Sequence, residues 1–203
     1  MTIEPNVLTQ FLRSRRSIRR FTGEPVPGEI LRDILQTAVF APSAHNLQPW
    51  RFAIVESGPA RSALGQALTR RMTRDMQAEN APQTQIDNRV ERSLRRIAEA
   101  PALILLCRAT DAVRADQPEE DLMGIQSVAA AGLQLLLAAH AHNLGGNWIC
   151  WPLYAQEETV WALGLPANWQ PQGMVFLGYP AEQSNEKAPR PLEDVVVTVD
   201  GGR

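Results

Sequence analysis

Lysine is almost missing from this chain. Of the 20 basic residues, all but Lys187 are arginine, and 22 acidic residues leave a net charge of −2. That near balance gives no global reason to expect nucleic acid or an anionic membrane as a partner. Cysteine is scarce too: Cys107 and Cys150 both sit in apolar runs and form no CxxC pair, so they read as buried, reduced thiols. No cluster has zinc spacing; His140 and His142, two apart, do not share a helix face. No uninterrupted apolar run is long enough to span a bilayer. The most apolar stretch, 122–139, is broken by Gln126, Ser127 and Gln134 and reads as a core helix. The N-terminus has no signal-peptide pattern, so the cytoplasm is the expected location.

What is present is concentrated in two strings. Residues 15–21 read RRSIRRF, packing four arginines and a hydroxyl into six positions. Residues 41–50 read APSAHNLQPW, a polar, turn-rich segment ending at the start of an apolar run. A tight arginine cluster is costly unless something anionic neutralises it, and guanidinium forks suit phosphate. The first inference is a bound small molecule carrying phosphate.

Apolar spacing predicts helices near 7–12, 28–40, 59–71, 86–97, 120–142 and 156–163. Strands are expected at 50–55, 102–107, 147–150, 173–178 and 195–199. Residues 72–84 are polar and poorly patterned. Gly145-Gly146, with Asn143, reads as the stop of the long helix. The fold class is therefore α+β, with a sheet of four or five strands flanked by helices. The last strand follows the Pro- and Glu-containing stretch 180–193 and is placed to join the partner subunit's sheet.

These strings, with GLQLLLAAHAHNLGGNWI and the closing APRPLEDVV, resemble the FMN-dependent nitroreductase superfamily over residues 7 to 199. The resemblance implies a nitroreductase-like fold with a central, mostly antiparallel sheet, one domain over 1–203, and a homodimer holding FMN at its interface. It implies hydride transfer from NAD(P)H, or a reduced flavin, through FMN to an organic acceptor such as a nitroaromatic, quinone or flavin. Arg15, Arg16, Ser17 and Arg19 would bind the flavin and its phosphate. Ser43, Ala44 and Asn46 would supply a second contact from the partner subunit. Ile149, Cys150 and Trp151 would lie near the reactive ring, and Arg190 would reach the phosphate. No catalytic acid or base is implied, because the flavin carries the redox chemistry.

Residues 72–101 resemble an insertion in one branch, the reductase domain that completes a deazaflavin coenzyme beside a glutamate ligase. The sequence departs from that branch in lacking a ligase half and in having Trp151 and Pro152. Eight arginines face five acids over 61–99. They read as an ordinary charged helix face or, more sharply, as a basic lid over an anionic substrate tail, with 72–100 as lid or insertion. Other classes stay open: a flavin or deazaflavin binding protein without turnover, and an enzyme that breaks flavin apart or dehalogenates an aromatic ring.

Overall fold

The computed structural model describes residues 4–182 and 187–199. Residues 1–3, at the start of the expected leaderless terminus, and 183–186, within the expected crossing stretch, lie outside the described residues.

The sheet is built from the most apolar segments. β2 (Ala102–Ala109) is buried at every position. It pairs antiparallel with β1 (Trp50–Ile54) on one side and β4 (Trp169–Gly178) on the other, and β3 (Gly145–Ile149) closes the order β1-β2-β4-β3. A continuous apolar run fits a strand covered on both faces. Here helices supply the cover without making the sheet parallel.

Each face has its own core. On one, α2 (Gly28–Ala38) presents Leu31, Ile34 and Ala38, and α5 (Pro118–Ala141) presents Val128, Ala131 and Leu135. On the other, α3 (Gly58–Ala78) presents Leu64 and Leu68 and α4 (Gln83–Glu99) presents Ile97, against Leu103, Leu105 and Phe176 of the sheet. Each fully buried Leu or Ile contributes roughly 1.5–3 kcal/mol. By length and apolarity alone α5 passes as a membrane span, but half of its most apolar window is buried inside the protein. α1 (Pro5–Ser14) and α6 (Gln156–Leu163) complete the helices.

Several expectations need correction. Residues 72–78 are helical: α3 runs on to Ala78, with Met76 buried about two turns beyond Leu68. Residues 195–199 pair with no strand among the described residues. They follow a 3-10 turn at Leu192–Asp194 as exposed chain, so the sheet formed by the described residues has four strands. The run Val195-Val196-Val197-Thr198-Val199 supplies β propensity but no hydrogen-bond partner among the described residues. Cys150 is exposed; only Cys107 is buried, where desolvation pushes its thiol up to about 12. Asn143, in left-handed backbone at φ 59°, closes α5. Gly145 and Gly146 belong to β3.

Candidate functional site

The arginine string leaves α1 and crosses the exposed edge of β3. Ser17 bridges Gly146, and the Ile18 amide donates to the Gly146 carbonyl at 3.1 Å. This close approach explains the glycines. A Cβ on Gly145 would lie 2.6 Å from Cβ of Ile18, and one on Gly146 would meet Leu136 and Leu177. Further on, the amides of Arg19 and Arg20 donate to Glu182 Oε1 at 2.8 and 3.2 Å. These bonds, the Arg19 one foremost, hold the Glu182 carboxyl below its ordinary range.

The side chains divide. Arg16 turns back onto its own helix end, donating to the carbonyls of Arg13 and Arg15. It thus caps α1, whose last carbonyls have no helical partner. Among the described residues no carboxylate lies within 4.0 Å of the Arg15 or Arg19 guanidinium. His140, in the last turn of α5, stacks on Phe11 at 5.0 Å between ring centroids. Ser14 gives its hydroxyl proton to the Phe11 carbonyl at 2.8 Å, so its oxygen accepts from His140 Nε2 at 2.7 Å. Burial, then Arg15 and Arg16, push the His140 pKa below its ordinary 6.5.

Beyond Gly145, the strand alternation puts Asn147 and Ile149 on the face that carries Phe176. Asn147 is 5% exposed, yet its amide makes no hydrogen bond among the described residues. Solvent reaches its amide atoms, which leaves them open to an outside partner; the buried side-chain atoms without a partner among the described residues are Thr22 Oγ1 and Thr159 Oγ1. The motifs did not single out Asn147; its signal was a polar residue inside a strand of otherwise apolar neighbours. Cys150 and Trp151 follow at the strand end, where a 3-10 turn spans Trp151–Tyr154. Trp151 is half-buried and packs against the core beside Ile149.

The second string lies elsewhere. Ser43, Ala44 and Asn46 sit on a turn held to α5, where the Ala44 amide donates to Ser127 Oγ at 3.2 Å. Ser43 Oγ accepts from the Gln48 amide at 3.0 Å, and Asn46 Oδ1 from Gln48 Nε2 at 3.3 Å. His45, Asn46 and Gln48 all hold positive φ, at 53°, 56° and 49°. Non-glycine residues rarely adopt this region, so the turn stores strain that its contacts hold in place. His45 Nδ1 meets Arg114 at 3.1 Å. Ser127 and His140, which mark the two strings on α5, are separated by about 20 Å of helix.

The structure thus brings Arg15, Ser17 and Arg19 to one edge with Ile149, Cys150 and Trp151 along the same strand. It leaves Ser43, Ala44 and Asn46 at the other end of α5. Arg190 lies on exposed chain, and no hydrogen bond or ion pair joins it to the arginine string among the described residues.

Guanidinium groups without carboxylate partners among the described residues, the strand amide of Asn147 and the half-buried Trp151 at the strand end thus lie together on an α+β scaffold. The chain belongs to the nitroreductase family, whose model matches residues 12–179. An NADH dehydrogenase of Thermus thermophilus is 33% identical over 196 residues, covering 90% of this chain and 91% of that protein. A 5,6-dimethylbenzimidazole synthase of Rhodospirillum rubrum is 34% identical over 177 residues, covering 83% and 80%. Among solved structures, a nitroreductase-like protein of Desulfovibrio desulfuricans in complex with FMN superposes with a TM-score of 0.75. It is 27% identical and covers 99% of this chain and 100% of that one.

Proposed function

We propose that the protein is an FMN-dependent oxidoreductase that uses NAD(P)H to reduce a small organic acceptor. The observation that carries this reading is the pair of arginines, Arg15 and Arg19, with no carboxylate partner among the described residues, on the string that crosses the edge of β3. When bound, FMN supplies the redox chemistry, accepting hydride from the donor and returning it to the acceptor.

The chain's own residues bind, orient and tune. Arg15, Arg19 and the Ser17 hydroxyl suit a phosphate ester, because fixed guanidinium and hydroxyl donors match its oxygens. Arg16 caps its helix and supports the string from behind, and Arg190 is a further candidate for the phosphate. Asn147 offers the amide chemistry that a flavin's pyrimidine edge requires. Backbone donors at Ile149, Cys150 and Trp151 would favour charge on a reduced ring. Trp151 walls the face on which donor and acceptor would take turns.

We further infer a homodimer with two sites. The distance between the two strings along α5 supports it, since Ser43, Ala44 and Asn46 would then complete the partner's site. So does an exposed apolar stripe on α5 at Leu122, Ile125 and Leu133, with Phe40 nearby in sequence to the strained turn. Singly exposed residues of this kind are ordinary, but a stripe along one helix marks an interface. The C-terminal chain at 195–199, with its exposed valines, remains proposed as a strand for the partner's sheet. The α3–α4 hairpin, which contains 72–100, is proposed as the lid, and the whole chain as one domain.

The test is direct. Purified protein is expected to be yellow, to bleach anaerobically with NADH or NADPH, and to recolour when acceptor is added. Bleaching with no acceptor able to restore colour would make it a binding protein. The superfamily resemblance leaves a second reading, an enzyme that breaks flavin apart; irreversible loss of flavin absorbance after reduction would select it. A dehydro-deazaflavin precursor is the acceptor to which the branch resemblance at 72–101 points, and quenching of deazaflavin fluorescence on binding would support that choice.

A further inference from the structure

The eight arginines of 61–99 do not act alike. Arg61 and Arg71 are engaged within the fold, by carbonyls and by Asp75. Arg92, Arg95, Arg96 and Glu99 share one face of α4. That face turns to the end of the arginine string: Arg19, Arg20, Arg95, Arg96 and Glu99 line a cavity of about 290 Å³. The Arg96 guanidinium lies 5.7 Å from the ring centroids of both Trp151 and Phe176, which hold it by cation–π attraction. Burial, then Arg19 and Arg92, push its pKa down.

Charge of one sign is crowded here without relief. Arg20 approaches Glu182 at 3.9 Å. Among the described residues, no carboxylate comes within 4.0 Å of Arg19, Arg92, Arg95 or Arg96, and Glu99 pairs with none of them. The arginines also fall into two groups. Arg15 and Arg19 lie on the string that crosses β3, whereas Arg92, Arg95 and Arg96 lie on α4, with Arg96 against Trp151. One phosphate ester answers one group. The second group borders Trp151, on the side proposed for donor and acceptor.

We infer that Arg92, Arg95 and Arg96 clasp a phosphate or carboxylate group on the molecule that exchanges hydride over Trp151. The site thereby selects anionic exchange partners over neutral ones of the same ring chemistry. This rests on the flavin reading above. Arg96 is fixed by two rings and supplies the rigid contact. Arg92 and Arg95 are exposed and close on the anion from the helix surface.

The experiment uses the FMN-loaded protein and the matched pair 4-nitrobenzoate and 4-nitrobenzamide. Calorimetric titration of the oxidised protein should show the carboxylate binding about tenfold tighter, and KM at saturating NADPH should follow. In the Arg92→Gln/Arg95→Gln variant that advantage disappears, while amide binding and FMN affinity stay within twofold. Arg95→Lys retains charge without the fork and should fall between. A donor arm follows anaerobic reduction by NADPH without acceptor. A tenfold weaker NADPH dependence in the variant, with the carboxylate unaffected, would support the clasp and assign the anion to the donor. Equal binding of acid and amide by the wild type, with no donor effect, overturns the inference. So does a variant that loses FMN, which would place these arginines in the cofactor site. A protein that stays colourless in excess FMN refutes the flavin reading; a yellow protein without charge preference refutes only the clasp.

Discussion

Arg61 and Arg108 are the counterpart of Arg15 and Arg19. Arg108 is 3% exposed and fully occupied: Nε donates to Gln170 Oε1 at 3.0 Å, and a terminal nitrogen donates to the Asp121 carbonyl at 3.1 Å and pairs with its carboxylate. Arg61 donates to carbonyls of Val55, Ala98 and Ala100, tying the end of α4 to the start of α3. Arg15 and Arg19 have no such partners among the described residues. The same side chain is structural where the fold supplies acceptors and a ligand site where it does not. The number of internal acceptors around each guanidinium separates the two uses better than burial does.

That contrast can be broken most forcefully by removing both free arginines. Arg15→Ala/Arg19→Ala should raise the Kd for FMN at least 100-fold, about 3 kcal/mol or more, since each charge-assisted contact contributes about 1.5–3 kcal/mol. The thermal midpoint of the apo protein should stay within about 2 °C. Fluorescence quenching of FMN and differential scanning fluorimetry read the two quantities. Arg108→Leu should do the reverse: a loss of about 2 kcal/mol, roughly 4–8 °C, with FMN affinity per folded molecule unchanged. An intermediate case sharpens the boundary. Gly145→Ala forces the string off its strand, costing about 1–2 kcal/mol of stability and roughly tenfold in FMN affinity.

The smallest expected effect concerns His140. Its folded pKa lies below the ordinary 6.5, so the unfolded chain binds more protons as pH falls past that value. Stability should therefore rise with pH through the window that ends near 6.5 and level off above it. His140→Gln should flatten that rise in a series of melting curves from pH 4.5 to 8. An unchanged slope would show that neither burial nor Arg15 and Arg16 lower the His140 pKa in the folded protein.

Much of the fold was legible in residue spacing. β2 is a plain apolar run, α2 and α5 carry apolar stripes, and α6 is bounded by Gly164 as expected. The end of α3 was not, because residues 72–78 offer only Met76 to the core and a helix held mostly by its preceding turns leaves little pattern. Residues 195–199 show the opposite failure: good strand composition with no strand partner among the described residues. In the site, the arginine string announced itself by crowding, but its division was hidden. Nothing in RRSIRRF tells that Arg16 caps a helix while Arg15 stays free; that depends on where α1 ends. Asn147 was equally hidden, since the face its amide takes is fixed only once β3 pairs with β4.

The span of α5 carries a consequence for handling the protein. If each cofactor is gripped by one chain at the carboxyl end of that helix and by its twin at the amino end, flavin retention is a property of the pair. Diluting the preparation below the concentration that keeps chains together would shed colour even with the binding residues intact. Apparent cofactor affinity would then vary with protein concentration, and a pale preparation would report separation of subunits before it reported a damaged site.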